Sequence, residues 1–482
     1  MKSVSVKTPV SEALAGEKQQ RIYYLDWLKM LAIAGVFLIH SGNMFDMLYK
    51  PVSNSKHTTS SVVTTLAASD SFASGGMYFL NFLPQWGMAL FFLLSGAGTW
   101  YALRHRSSRQ FINERLLRLL IPLIIGVIVI APLQAYFEAL SNSLFNGNVF
   151  QFYPYFFGRI HPVLSPQWPG AVTHHLWFLV DLFVFSLVTL PVCLFLKHSS
   201  GQKFVQLLAR MCERPGGLLL LFLPIALIQV ALRASFPGYQ NWADVCCWLI
   251  CYLYGYIIFS NPRFGEAIQR QGKLALYMGI GGILAIIALW CAGLLGNWAN
   301  TPDYSVGCLL FQVLAGWNTW CWLIVILYAG NKYLNFKNDL LNYGGVASFP
   351  FYLLHFPVVV VVAYCVLPWH MNIIAAFVCI SACAFLGTLA LTDLLFMRLR
   401  GVRMVFGSKG AHARFAADRC FAALSMTVIA LSMTVLWFGS KGRILALQQG
   451  IAGLYMQVAK LGKIHRVAPW LVRTRVLTGT LM

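Results

Sequence analysis

Long apolar runs separated by short polar stretches make up most of the chain between residues 24 and 397. A helix needs about 20 apolar residues to cross the hydrocarbon core of a bilayer. The pattern therefore predicts an all-α, polytopic integral membrane protein with ten core transmembrane helices and a possible eleventh near 418–439. The ten predicted spans are residues 24–45, 80–103, 116–138, 173–196, 216–233, 242–260, 274–295, 306–329, 346–367 and 372–397.

The same pattern divides the chain into three parts. Residues 1–22 form a polar tail without the apolar core of a cleaved signal peptide, so we expect the first span to serve as its own insertion signal. Residues 23–400 form the ten-span membrane domain. Residues 401–482 form a basic region that contains the candidate extra helix, and its charges leave its topology open.

Composition supports the membrane assignment and removes several other classes. Hydrophobic residues make up 59% of the chain and charged residues 11%, against about 45–50% and about 25% in soluble domains. This excludes a cytosolic enzyme, a secreted disulfide scaffold and a disordered chain. The twelve cysteines lie mostly inside apolar runs and form no CxxC pair, so we expect neither a disulfide framework nor a metal site.

The net charge of +21 indicates how the protein is oriented in the membrane and does not indicate nucleic-acid binding, because the basic residues lie between the apolar runs. With the N-terminus in the cytoplasm, twenty-four Lys and Arg residues up to residue 419 fall in inner segments. Four fall in outer segments, namely Lys50, Lys56, Arg159 and Arg233. Cytoplasmic segments carry the excess of basic residues, so the count predicts a cytoplasmic N-terminus. The lipid bilayer is the expected partner of this surface, and no nucleic acid is expected.

Three ionisable side chains lie in the first predicted span, where such groups are costly and mark functional sites. Asp26 and Lys29 are three residues apart and can pair on a helix. His40 lies eleven positions after Lys29, about three helical turns and about 16 Å further along the same face. The alternatives are an interfacial ion pair for Asp26 and Lys29, and a helix-to-helix hydrogen bond for His40.

Two arginines stand at the inner end of the third span. Arg115 and Arg118 are three residues apart on one side of a helix and follow three further arginines, which suits the binding of phosphates. The alternative is that they only set topology and contact anionic lipids.

Further polar side chains fall inside or at the ends of predicted spans. His175, Trp177 and Asp181 open the fourth span, His355 lies near the middle of the ninth, and Glu138 lies at the outer end of the third. Each is a candidate site residue, and helix packing alone could also satisfy each of them. The aromatic residues of the outer loop 139–172 predict either an interfacial belt or a platform for sugar rings. Ser95, Gly96 and Gly98 predict close helix contact.

Five sequence motifs occur in a familiar order. They are Tyr24 to Lys29 followed by His40, Phe91 to Gly96, Arg115-x-x-Arg118 with Pro122, His175 to Leu179, and Phe351 to His355. In this order and spacing they resemble the membrane acyltransferase-3 family, over residues 20–400. The branch of bacterial glucan-modifying proteins (glucan biosynthesis protein C) is similar. The region after residue 400 lies outside the resemblance.

The resemblance implies an enzyme, an acyltransferase that moves groups other than amino-acyl groups. Its members take an acyl group, here acetyl or succinyl, from cytoplasmic acyl-CoA to a hydroxyl of a periplasmic or surface glycan. Lys29, Arg115 and Arg118 would then bind the donor, and His40 would be the general base because its ordinary pKa lies near neutrality. Asp181 would orient the imidazole ring.

No permanently bound cofactor is expected, and acyl-CoA is the co-substrate. The expected location is the bacterial inner membrane, with several passes. A multi-span transporter of an anionic or glycan substrate is the alternative, and a scaffold protein fits less well because it has no use for buried histidines.

The topology can be tested at Asn148, which lies in the outer loop 139–172. A cysteine replacing Asn148 should react with a membrane-impermeant thiol reagent from the periplasmic side of intact cells. The unsubstituted protein is the control for its native cysteines. Reaction only after the inner face has been opened would reverse the predicted orientation.

Overall fold

A computed structural model describes residues 22–48, 71–160, 163, 165–295, 298, 301–369 and 371–398. The predicted N-terminal tail up to residue 21, the candidate eleventh helix at 418–439 and the rest of the region 401–482 lie outside these residues. The described residues contain helices and no strand. Within this described part of the chain, nine helices are long and apolar enough to cross a membrane, and one shorter apolar helix accompanies them.

Thirteen helices of the described residues are numbered α1 to α13 in chain order. They are α1 Tyr23–Leu48, α2 Ser71–His105, α3 Ser108–Ser141, α4 Val149–Gly158, α5 Trp168–Val188, α6 Leu190–Lys197, α7 Ser199–Glu213, α8 Leu219–Leu232, α9 Trp242–Ser260, α10 Pro262–Cys291, α11 Val306–Tyr333, α12 Asp339–Trp369 and α13 Ile373–Thr392. The short apolar helix is α8.

Each of the ten predicted spans falls on these helices, so the all-α polytopic architecture is confirmed. The predicted boundaries are wrong in places. Helix α10 begins at Pro262, twelve residues before the predicted start, because its first turns carry charges that lower the hydropathy while Phe264, Ala267 and Ile268 are buried. Helix α7 is amphipathic and lies in a segment predicted to be an inner loop.

The nine long apolar helices and α8, all within the described residues, run alternately between two ends of the bundle. The end at which α1 begins carries Arg104, Arg106, Arg109, Arg115 and Arg118, and we call it the basic end. Two long-range hydrogen bonds hold this end together: Lys197 Nζ donates to the Leu103 carbonyl at 2.8 Å, and Trp27 Nε1 donates to the Phe336 carbonyl at 3.1 Å. The other end is called the opposite end.

Helix α1 packs between α2 and α12, and α2 packs along α9. Two glycines allow the second contact. A Cβ on Gly96 would collide with the Tyr252 carbonyl, and a Cβ on Gly255 would collide with the Leu93 carbonyl, so the two backbones touch. The predicted close contact is confirmed at Gly96 but is wrong at Gly98, where a Cβ would meet nothing within 4 Å.

Candidate active site

Three histidines from three helices meet in the half of the bundle nearer the opposite end. His355 on α12 lies between His40 on α1 and His175 on α5, with ring centroids 5.5 and 5.4 Å away. Phe356 packs edge-on against His40 at 4.3 Å and stacks on His175 at 5.3 Å. Residues predicted separately from three motifs are therefore brought together, whereas their catalytic roles stay predictions.

A local break in α5 sets the position of His175. A short 3₁₀ turn, His174–Leu176, interrupts the helix, and His174 takes a left-handed backbone with φ of 49°. Such a backbone is uncommon for a residue with a Cβ and costs free energy. The break buries the His175 ring, which reaches both α3 and α12.

The α12 partner of His175 is a carbonyl that a proline has released. Pro357 lies inside α12 and has no backbone N–H, so the Leu353 carbonyl four residues earlier lacks its helical donor. His175 Nε2 lies 3.2 Å from that carbonyl oxygen. A buried carbonyl needs a donor, and the imidazole is placed to supply it.

This contact fixes the tautomer of His175. A carbonyl only accepts, so Nε2 carries the proton and donates it to Leu353, which leaves Nδ1 of the neutral ring as an acceptor. The Gln134 amide on α3 lies 3.2 Å from Nδ1, and the amide group can turn to present its NH₂. Tyr352 adds a further link, because its hydroxyl donates to the His175 carbonyl at 2.6 Å.

A cavity of about 270 Å³ opens beside two of these histidines, and we call it the histidine cavity. Its lining residues are Val36, Ile39, His40, Gly87, Met88, Phe91, Gln134, Gly170, His174, His175, Trp177, Phe178, Tyr239, Gln240, Tyr352 and Phe356. His355 is fully buried behind the lining, where its Nδ1 contacts the Tyr352 carbonyl at 2.7 Å. His40 and His175 are therefore the family-motif histidines that a substrate in this cavity can reach.

A second cavity of about 400 Å³ continues from the histidine cavity toward the basic end, and we call it the apolar passage. Both cavities are lined by Val36, Ile39 and Gly87, so they adjoin one another. The other lining residues of the apolar passage are Leu28, Leu31, Ala32, Gly35, Trp86, Leu90, Ile326, Ala329, Gly330, Tyr333 and Leu334. None of these carries a charge, so the passage suits an uncharged, extended chain.

The predicted donor residues lie at the basic end but apart from the apolar passage. Lys29 and Asp26 form the predicted pair, with 3.9 Å between Nζ and Oδ1. Arg115 is partly buried and donates from Nη2 to Thr99 Oγ1 at 2.9 Å, whereas Arg118 is exposed. The two arginines differ because a π turn, Leu116–Leu120, has more residues per turn and changes the angle between their side chains.

Two predicted carboxylates lie outside the histidine cavity lining. Asp181 is one turn below Trp177 on α5 and interacts electrostatically with the hydroxyls of Tyr239 and Tyr352, both of which line the cavity. Its role in orienting His40 stays a prediction. Glu138 lies at the opposite end of α3, and its carbonyl accepts a hydrogen bond from Asn142.

The aromatic residues of the segment 139–172 mostly pack against one another. Phe152 and Phe156 on α4 are buried in a cluster with Tyr136 and Phe145, whereas Phe150 is 83% exposed. Because their faces are used in packing, these rings fit an interfacial belt better than a sugar platform. Trp177 also uses one ring face in packing, because it stacks on Trp248 at 5.0 Å, but the residue lines the histidine cavity.

The sequence reasoning missed three residues that the structure brings to the histidine cavity, namely Gln134, Tyr239 and Gln240. Tyr352, which belongs to the motif Phe351 to His355, lines the same cavity. The signal for Gln134 was available, since an amide inside an apolar run needs a partner. No periodicity marks Tyr239 or Gln240, which lie in a loop between two helices.

Lys332 is a further cation at the basic end, and its Nζ lies 5.0 Å from the centroid of the Tyr333 ring, which lines the apolar passage. Within the described part of the chain, no three His, Cys, Asp or Glu side chains are arranged to hold a metal ion.

Comparison with known proteins places this chain within a family. A family model described as an acyltransferase domain matches residues 22–397, which is more than half of the chain and includes every residue of both cavities. No curated protein and no solved structure matches the chain. The match confirms an acyltransferase rather than a transporter, and it does not extend to the glucan-modifying branch. The chain is a multi-pass membrane protein that belongs to the acyltransferase-3 family.

Proposed function

We propose that the protein moves an acyl group, acetyl or succinyl, from acyl-CoA at the basic end to a hydroxyl of a glycan at the opposite end. The basic end would face the cytoplasm of a bacterium and the opposite end the periplasm, across the inner membrane. The charge asymmetry of the loops supports this orientation. Acceptors of the glucan-modifying branch belong to the same proposal.

One observation carries the proposal: the apolar passage adjoins the histidine cavity along α1. The phosphates of acyl-CoA are too highly charged to enter a bilayer, whereas its pantetheine arm is uncharged and extended. The arm therefore fits a passage lined by Leu28, Gly35 and Val36, with the thioester delivered beside His40. Arg115, Arg118 and Lys29 would hold the phosphates at the basic end.

The reaction divides into simple steps. The acceptor hydroxyl attacks the thioester carbonyl, His40 removes the hydroxyl proton, and the new C–O bond forms as the C–S bond breaks. The CoA sulfur leaves as a thiolate and takes the proton from His40, which restores the neutral ring. Histidine suits both proton transfers because its ordinary pKa is near neutrality.

Arg115 and Arg118 are expected to contribute to donor binding. A charge-assisted hydrogen bond to phosphate is worth about 1.5–3 kcal/mol, so Arg115→Ala or Arg118→Ala should weaken CoA binding by about tenfold or more. Lysine should restore only part of the affinity, because it lacks the two-pronged guanidinium. CoA binding to the purified, full-length protein provides the measurement.

The matched control is Arg270→Ala, which removes an exposed cation from the same end of the bundle. It should bind CoA normally. Normal affinity for CoA in a well-folded Arg115→Ala/Arg118→Ala variant would mean that both arginines only set the topology of the protein. If only Lys332→Ala lowers the affinity for CoA, the phosphates bind at the basic end of the apolar passage instead.

Gly87 stands where the two cavities adjoin, and a leucine there should block the donor arm. A Cβ on Gly87 would meet nothing within 4 Å, so the new side chain would fill the passage without a backbone clash. Misplacing the thioester should lower transfer by about 10²-fold while CoA still binds. Gly98→Leu is the control, because that position is also open but lines neither cavity. Equal transfer by both variants would refute the route through the passage.

His40 is expected to be the general base. His40→Ala and His40→Gln should each lower acyl transfer by about 10²–10⁴-fold, since neither accepts the proton, while CoA binding persists. The exposed histidine His198, changed to Gln, is the control for the same chemical change. Substantial transfer by the normally expressed His40→Gln protein would remove His40 from the mechanism and direct attention to His175 and His355.

A further inference from the structure

A charged network fixes the loop between α8 and α9 at the opposite end. Arg233 and Asp244 form an ion pair and are only 17% and 14% exposed. Arg233 also donates to the Gly238 carbonyl at 2.9 Å, and the second carboxylate oxygen of Asp244 accepts from the Gln240 backbone N–H at 3.1 Å. The pair therefore holds the residues on both sides of Tyr239 in place.

This loop supplies part of the wall of the histidine cavity. Tyr239 and Gln240 line the cavity, and Tyr239 is 52% exposed, so its ring lies where the cavity opens to the outside. The Gln240 side-chain amide lies directly against Gly170, where a Cβ would collide with it. The loop thus places an amide in the cavity and a half-exposed ring at its opening.

Backbone strain concentrates at the same place. Among the described residues, three with a side chain have a left-handed backbone, and two of them, His174 and Gln240, line the histidine cavity. Their φ angles are 49° and 61°. Strain of this kind persists where the surrounding structure enforces it, and it clusters at ligand sites. The ion pair beside Gln240 and the Phe156 ring stacked on His174 provide that enforcement.

The chemistry of this wall selects a class of ligand. His174 Nε2 is buried without a hydrogen-bond partner, and the amides of Gln134 and Gln240 offer both donors and acceptors. Trp177 adds an aromatic surface to the same cavity. The lining has no Asp, Glu, Lys or Arg, so a charged ligand would be desolvated without a counter-charge.

We propose that His174, Gln240 and Trp177 form the acceptor subsite, which binds a neutral, polyhydroxylated ring, and that Arg233 and Asp244 are positioning residues for it. The inference rests on the proposed function, in which a glycan hydroxyl must reach His40. Hydroxyls of such a ring would pair with His174 and Gln240, and its apolar face would contact Trp177.

The test uses cysteine protection in the full-length protein and needs no acyl-CoA. Tyr239→Cys, combined with Cys291→Ser to remove a native exposed thiol, reacts with an impermeant maleimide added from the opposite end. A glucose tetrasaccharide added at about twice its dissociation constant or more should slow this reaction at least about threefold, because only the unoccupied protein reacts. Glycerol, which lacks a ring, and glucuronate, which is charged, should leave the rate unchanged.

Further substitutions in the Tyr239→Cys protein show which residues are responsible for the protection. Gln240→Leu and Trp177→Leu should each abolish protection, measured as the ratio of the labelling rates without and with saccharide in the same variant. Phe150→Leu, which changes an 83% exposed aromatic residue on α4 at the same end and outside the cavity lining, should keep full protection. Asp244→Asn should lose protection and raise the rate without saccharide, because the loop is released, and Asp244→Glu should restore part of it.

Each outcome decides the proposal. Equal labelling with and without the tetrasaccharide would overturn it, and so would protection that survives in both Gln240→Leu and Trp177→Leu. Protection by glucuronate equal to that by the tetrasaccharide would overturn the neutral class. If the tetrasaccharide protects the thiol but the protein never releases CoA from acyl-CoA, the proposed function is wrong and the subsite stands. If the protein transfers acyl groups but the tetrasaccharide gives no protection, the subsite is wrong and the proposed function stands.

Discussion

The site depends on one constraint: inside a membrane, each backbone polar group must find its partner within the protein. Pro357 releases the Leu353 carbonyl from the helical ladder of α12, and His175 is the donor that reaches it. The bond joins α5 to α12 and fixes the tautomer of the ring, and the Gln134 amide ties the same ring to α3. A break in one helix thus orders side chains from two others, α5 and α3, beside one cavity.

The two cavities lie along α1 and differ in the polarity of the residues that line them. The apolar passage has no charged lining residue, whereas the histidine cavity brings amides, imidazoles and hydroxyls together at the other end of the same helix. Glycines keep both spaces open: Gly35 and Gly87 border open space, whereas Gly96 on α2 is filled by the backbone of α9. The same residue type therefore makes room in one half of α2 and removes it in the other.

The sequence was sufficient for the architecture, because hydropathy is a local property and a span of about 20 apolar residues is recognisable alone. It was also sufficient to single out His40, His175 and His355, since ionisable groups stand out in apolar runs. The sequence could not predict the apolar passage, the position of the loop residue Gln240 in the histidine cavity, or the different burial of Arg115 and Arg118. Those depend on which helices pack together and on a π turn, which leave no periodic signal in the chain.

The proposed reaction needs one base, and the geometry of the three histidines favours His40 for that role. His175 spends its proton on the Leu353 carbonyl, and His355 is buried behind the lining with its Nδ1 against the Tyr352 carbonyl. His40 lines the cavity and packs edge-on against Phe356, which holds its ring without using a nitrogen. A base must offer a free lone pair to its substrate. His355 Nε2 has no partner either, but it is buried behind the cavity lining. His40 is therefore the ring of the three that can offer a free lone pair to a ligand in the cavity, which supports its proposed role as the base.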